Sequence, residues 1–478
     1  MKPNRRLRRR VLWALLPLAL LLLALRFAAM RAQDRDAWPA PAPGILLDEP
    51  ARDGAGEGLP LLDAEDCRAL LDAIPGPESA PVAAYRRFQG AGAAALGAED
   101  RAALAARLGP SNATLRAWRG AVGGRGGFDL PSNAASEPLP GVLARFGEMA
   151  VLEAWDAADD DGAAPAALAA AAGDSVRLLT HGAGLVGIAS ALPVATIFAR
   201  EALMAAADLS APPPADPAAA IAAFRAAEGG IGPLDAALRH DHALFREAVG
   251  SIYESFLPAP RASDAAPDAG TDAPRPRNGR LALVVHALGG REEDTQAHLD
   301  ALFSHLVANA SAPYAPGGAV AGLPAWCREG GRPPWTRDPV GAALARDYVR
   351  HAAVAAAVLP GIRLEFRAAR IALALRAWRE AHGEYPATLD ALLAGEAPLL
   401  GADDLADPFA APPGARLGYA RDGDGWRLWS AGLDQVDGGG AVDAFTADDP
   451  GERKDADFVL TSRERDIRKA SLHAESSR

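Results

Sequence analysis

The stretch from Leu364 to Asp437 constrains this chain most, because within it the hydrophobic period changes from helical to extended. Leu364, Ala368, Ile371, Leu375 and Trp378 recur at alternating spacings of four and three. That spacing lines one face of an amphipathic helix, with Arg363, Arg367, Arg370, Arg376 and Arg379 around the other faces. Gly383 is placed to cap the helix, and Glu384-Tyr385-Pro386 turns the chain into a second, shorter helix over Ala387 to Leu393. Asp407-Pro408-Phe409 is a turn. Strands are expected at Leu417 to Arg421 and Trp426 to Ser430, joined by Asp422-Gly423-Asp424-Gly425, whose Asp-Gly pairs favour a tight hairpin. A Gly-rich acidic loop follows, and Phe458-Val459-Leu460 reads as a last strand closing the small sheet. Upstream, Asp338 is a natural N-cap with Pro339 at the first helical position, and that helix is expected to run to Val358, where Pro360-Gly361 stops or kinks it.

The rest of the chain predicts helices. Of its 478 residues 50% are apolar, which allows a sizeable core; only 6% are aromatic and lysine is confined to Lys2, Lys454 and Lys469, so the core is built from Ala, Leu and Val on closely approaching helices. Helices are expected at Leu61 to Ile74, Ala98 to Leu108, Ser111 to Trp118, Val142 to Ala157 and Ala164 to Leu179, then at Ala218 to Ala227, Pro233 to Leu257 and Glu292 to Val307. Gly182 to Phe198 carries no charge, but it is short for a membrane span and holds Pro193, which suits a buried central helix of a bundle. Within the Pro233 to Leu257 helix, His240 and His242 point about 200 degrees apart and cannot share a metal ion, so the His240-Asp241-His242 triplet reads as a solvated helix face. His298 and His305 share a helix face as packing or surface residues. Pro, Ala and Asp dominate residues 259–280, the composition of a mobile segment.

The N-terminus carries an address. Arg5, Arg6, Arg8, Arg9 and Arg10 precede an apolar run from Val11 to Leu25, extended past Arg26 by Phe27 to Met30. This is long enough to cross a bilayer, with the arginine flank inside and the bulk of the chain on the periplasmic side of a bacterial inner membrane. Small residues at both positions of a cleavage site are missing, which favours an uncleaved anchor over a signal peptide. Residues 31–60 are rich in Pro, Gly and charge, as a linker is. The net charge of −12, with no basic stripe beyond the N-terminus, excludes nucleic acid as a partner class. Cys67 and Cys327 are the only cysteines; they can form one disulfide in an exported chain or stay as two buried thiols, and neither has zinc-ligand spacing.

The order of amphipathic helix, His382-Gly383-Glu384-Tyr385-Pro386-Ala387-Thr388-Leu389-Asp390, Asp407-Pro408-Phe409, paired strands, Trp429-Ser430-Ala431-Gly432-Leu433-Asp434 and acidic Gly-rich loop resembles the soluble head of the major pseudopilin of type II secretion. The same head resembles the C-terminal part of uncharacterised bacterial membrane-anchored proteins with a helical middle. The resemblance implies a Ca²⁺ site in the loop after the strands, with Asp434, Asp437 and Asp443 as ligands and backbone oxygens near Leu433 and Val436. Independently, residues 401–460 hold 13 Asp or Glu against 5 Lys or Arg, and carboxylates spaced by glycine suit a hard, oxygen-seeking cation. The N-terminal helix lacks the Gly-aromatic and Glu of a prepilin-peptidase site, so the likeness is confined to the head and implies no fibre assembly.

The expected architecture is mainly α: a transmembrane helix over 1–30, a linker over 31–60, an α-helical domain over 61–360, a small pseudopilin-like α+β domain with an antiparallel sheet over 361–460, and a charged tail over 461–478. The functional expectation is a non-enzymatic, membrane-anchored envelope protein that presents the C-terminal module for protein contacts, linked to secretion. Against it stand a hydrolase or a ligand-binding protein with its site in the helical middle. No G-x-S-x-G, H-E-x-x-H, phosphate loop or Cys-His constellation supports the hydrolase.

Overall fold

The computed structural model describes residues 38–47, 164–181, 184–207, 216–256, 291–329, 338–394, 398–441 and 457–461. The expected anchor, the helices before Ala164, the 259–280 segment, Cys67, Asp443 and the tail beyond Thr461 lie outside them. The described chain is mainly helical with one small antiparallel sheet. In order it contains α1 (Ala164–Thr180), α2 (Gly184–Ala207), α3 (Pro217–Gly229), α4 (Leu234–Phe256), α5 (Glu292–Ala310), the short α6 (Ala325–Arg328) and α7 (Pro339–His382). After α7 come 3-10 turns at Leu389–Leu393 and Ala402–Leu405, then β1 (Gly418–Asp422), β2 (Gly425–Ser430) and β3 (Phe458–Thr461).

The chain divides into two compact units, one of Met1–Glu49, His242–Ala308 and Val320–His351, the other of Pro50–Asp241, Asn309–Ala319 and Ala352–Arg478. The larger unit holds α1 to α3, the start of α4 up to Asp241, α7 from Ala352 onward and the sheet. Its helices approach through small residues. At Gly173 of α1 an added Cβ would meet Ala227 Cβ of α3 at 3.0 Å, so glycine is what lets these helices close. Helix α2 is long and apolar enough to cross a bilayer over Gly184–Leu203, yet 67% of that window is buried inside the protein, with Ile188, Val194 and Phe198 fully enclosed.

Helix α7 rules out the stop expected at Pro360-Gly361. The helix runs unbroken over 44 residues with Pro360 inside it. Leu359, Pro360, Ile362 and Leu364 are all buried, and Gly361 lets Leu192 Cδ1 of α2 come to 3.3 Å from where a Cβ would stand. Enclosure on both sides offsets the lost backbone hydrogen bond, which costs about 3 kcal/mol in an exposed helix. The predicted apolar face (Leu364, Ala368, Ile371, Leu375) is buried, but so are Arg370 and Arg376. The arginine face is therefore partly interior, and Arg370 and Arg376 there are met by acids.

The sheet order is β1-β2-β3, both pairs antiparallel, with Gly418 opposite Trp429 and Ser430 opposite Phe458. The β1–β2 turn is Gly423-Asp424, with Gly423 at φ +59° in the first central position, where one of the two-residue hairpin turns takes glycine. Along β2 the alternation sends Trp426, Leu428 and Ser430 inward and Arg427 and Trp429 outward.

In the smaller unit two expectations change. Residues 38–47 fall in the stretch whose composition predicts a linker, yet Trp38 is buried, stacks on His298 with ring centroids 4.3 Å apart, and meets Trp326 edge-on. The following backbone is also engaged, Ala42 N donating to Ser304 Oγ at 2.8 Å and Ala40 O meeting His305 Nε2 at 2.7 Å. A single aromatic supplies the buried area that the composition of the surrounding stretch conceals. The His240-Asp241-His242 triplet is likewise no solvated face. His242 is buried with its Nε2 2.7 Å from Asp300 Oδ1, and in the larger unit Asp241 caps α2 by accepting from Leu185 N. Asp338 caps α7 as expected, accepting from Gly341 N at 2.7 Å, and also takes Thr295 Oγ1 and faces His298 Nδ1.

Candidate functional site

The acidic loop is built from β2 outward. Asp407, buried in the turn before the sheet, accepts from Phe409 N and Ser430 Oγ through Oδ1 and from Ala431 N through Oδ2. It thereby ties the end of β2 to the turn; burial raises its pKa, against the pull of these hydrogen bonds. Past β2 the chain turns at Gln435, at φ +64° the non-glycine residue with positive φ among those described. Its amide donates to Tyr314 O and Phe409 O, both at 2.9 Å, while Tyr314 O–H donates to Leu433 O at 3.1 Å.

Of the three expected Ca²⁺ ligands, Asp434 and Asp437 stand in this loop and Asp443 lies outside the described residues. Each of the two is oriented by a backbone donor two residues on, Val436 N to Asp434 Oδ1 at 3.0 Å and Gly439 N to Asp437 Oδ1 at 2.8 Å. Asp437 Oδ1 also takes Trp429 Nε1. The Trp429 ring covers Gly418, where a Cβ would fall 2.0 Å from it, and touches Gly440, so two glycines make the slot that aims its indole N–H. Leu433 O, one of the expected backbone ligands, is engaged by Tyr314. Among the described residues no three His, Cys, Asp or Glu side chains are grouped to hold a metal.

Sequence reasoning missed Asp457. Buried just before β3, it accepts from Gly438 N and Gly440 N and so fastens the loop from beneath. Its only sequence signal is its place beside Phe458; nothing local separates it from the other acids of the 442–456 stretch.

A second feature of the larger unit is a cleft of 520 Å³ between the start of α4, the 309–315 segment, the middle of α7 and the turn around Asp407. Its charged residues are Asp235, Arg363, Arg367 and Asp407. Arg367 is committed: its Nε and Nη2 both reach Glu228 Oε1, at 2.9 and 2.7 Å, and its Nη1 donates to Ala406 O. Asp235 lies 3.8 Å from Arg239, and Asp407 is satisfied as described. Arg363 is left without an ion-pair partner among the described residues; burial lowers its pKa, offset in part by the more distant Glu228 and reinforced by Arg367.

Beside the cleft the charges close on themselves. Arg370, 2% exposed, meets Glu228 Oε2 and places its Nε 2.9 Å from Asp404 Oδ1, off-line for a hydrogen bond and so an ionic contact. Arg225 adds a bond to Asp404 Oδ2 at 2.6 Å. Burial pushes the Asp404 carboxyl up, but Arg225, Gly401 N and Arg370 outweigh it and the pKa is lowered. Glu365, buried, meets Thr196 Oγ1 at 3.3 Å and Arg200 at 3.9 Å, both on Oε1, as its only polar partners among the described residues, and burial raises its pKa. Cys327 is a free buried thiol, pushed up to about 12 by burial.

Compared with protein-family models, with curated proteins and with solved structures, the chain finds no match, so its function has to be inferred from these residues.

Proposed function

We propose that this is a non-enzymatic protein of the bacterial cell envelope, anchored in the inner membrane through residues 11–30 and presenting a C-terminal pseudopilin-like module to envelope protein partners, linked to secretion. The observation that carries this reading is the C-terminal order: the end of α7, a 3-10 turn, a two-residue hairpin and an acidic Gly-rich loop before β3. In this reading the loop binds Ca²⁺ through Asp434, Asp437 and Asp443, and the bound ion holds the outer surface of the module in one conformation. The Asx turns at Asp434 and Asp437 support it by holding one oxygen of each on a loop amide and leaving the other for a ligand.

Two measurements on the full-length chain test the reading. Fractionation of producing cells should recover it intact in the inner membrane with the region beyond residue 30 open to protease from the periplasmic side. A soluble product that has lost its first 30 residues would defeat the anchor. Adding CaCl₂ to chelator-treated protein should raise Tm, and Asp434→Asn with Asp437→Asn should remove the rise. Equal Tm with and without Ca²⁺ in the unmutated chain would end the calcium role.

A further inference from the structure

We propose that the cleft around Arg363 binds a small amphiphilic monocarboxylate, its carboxylate on the guanidinium and its apolar body on the surrounding wall. The envelope role above is not needed for this. Three observations point to the ligand class.

The first is charge. Arg367 is spent on Glu228 and Ala406 O, Asp235 faces Arg239, and the oxygens of Asp407 take Phe409 N, Ser430 Oγ and Ala431 N. Arg363 alone on this wall is a half-buried cation with no acid in contact among the described residues; Glu228, already bound by Arg367 and Arg370, acts on it only from a distance. Leaving a partly desolvated guanidinium unpaired is costly unless something else supplies the anion. A carboxylate matches its forked donors and balances one positive charge. Phosphate, with a second negative charge, would be repelled by Asp235 and Asp407 on the same wall. The first turn of α4 contributes positive potential, which Asp235 partly cancels.

The second is the wall itself. Pro233, Pro313, Pro360, Pro408 and Pro413 line the cleft with Leu359, and prolines present an apolar surface that loses little freedom when a ligand settles on it. The third is size. At 520 Å³ the space falls in the range of small-molecule sites and holds a ligand of about a dozen heavy atoms.

The test uses the full-length chain in nanodiscs, with 4-phenylbutyrate as the probe, its neutral isostere 4-phenylbutyramide, and inorganic phosphate as competitor. Saturation-transfer NMR titrations should give a Kd for the acid on the order of millimolar, the scale expected for so few atoms, and binding of the amide weaker by at least about tenfold. Arg363→Met should remove the difference between acid and amide, Arg363→Lys should keep part of it, and phosphate should not compete. No binding of the acid, equal binding of the amide, or an unchanged acid preference in Arg363→Met overturns the proposal. So does competition by phosphate at similar concentration, which would make the site a general anion site. If Arg363→Met fails to fold, the acid–amide comparison on the unmutated chain and on Arg363→Lys still decides.

Discussion

Arg370 and Arg363 stand about two turns apart on one helix and have opposite fates. Arg370 is buried between Glu228 and Asp404, whose remaining oxygens are taken by Arg367 and Arg225, so two carboxylates are shared among three arginines and are nearly saturated with donors. Arg363 is half-buried beside an open cleft and has no ion-pair partner among the described residues. The same residue type thus serves as a fastener where carboxylates surround it and as a candidate binding group where they do not. What separates the two is supplied by other segments: α3 and the Ala402–Leu405 turn bring acids into contact with Arg370 but not with Arg363.

The largest effect expected from this contrast comes from breaking the saturated set. Arg370→Met removes a buried guanidinium's contacts with both Glu228 and Asp404, which keep Arg367 and Arg225, and should cost about 3–5 kcal/mol, roughly a 10 °C fall in Tm measured by circular dichroism. A fall of a degree or less would mean that these pairs are not desolvated. Next, Asp407→Asn replaces a carboxylate that accepts three hydrogen bonds with an amide that offers one oxygen. The expected loss is about 2–3 kcal/mol in urea unfolding, with faster hydrogen exchange at Phe409 and Ala431. Unchanged exchange there would contradict the role of Asp407 as the tie between turn and sheet.

A smaller and pH-dependent effect separates two buried carboxylates. The lowered pKa of Asp404 means that its stabilisation is present above the ordinary value of 3.8 and is lost as pH falls through the folded value. Glu365 has the opposite sign. Its folded pKa is raised above 4.5, so the folded state holds a proton that the unfolded chain has released, and stability falls as pH climbs from 4.5 through the folded value. Glu365→Gln should therefore match the unmutated chain below about pH 4.5 and become progressively more stable than it above, levelling off once Glu365 has ionised. Urea midpoints that differ by a constant amount at every pH would show that the carboxyl is not titrating in the interior.

Much of the C-terminal architecture was legible from local chemistry. The hairpin lies within one residue of its expected span because Asp422-Gly423 carries its own turn signal, and Asp338 caps α7 because an Asp-Pro pair states its role locally. The failures share a cause as well. Pro360 looks like a terminator until its enclosure is known, Trp38 looks like linker until His298 is placed beneath it, and Asp457 cannot be told from its acidic neighbours until β3 pairs with β2. The cleft was invisible for the same reason, since its walls come from four separate stretches and its one notable charge is defined by the partner it lacks. Asp434 and Asp437 could be named as candidates by spacing, but spacing does not reveal that Trp429 and the loop's own amides already use one oxygen of each.

Thermal unfolding of Arg363→Met beside Arg370→Met tests the central contrast most directly. Removing an unpaired, partly buried cation should leave Tm unchanged or raise it by a degree or two, the pattern of a residue kept for binding at the expense of stability, while Arg370→Met falls by roughly 10 °C. If Arg363→Met lost as much as Arg370→Met, Arg363 would be a paired structural residue, and the division between fastening and binding arginines on α7 would be wrong.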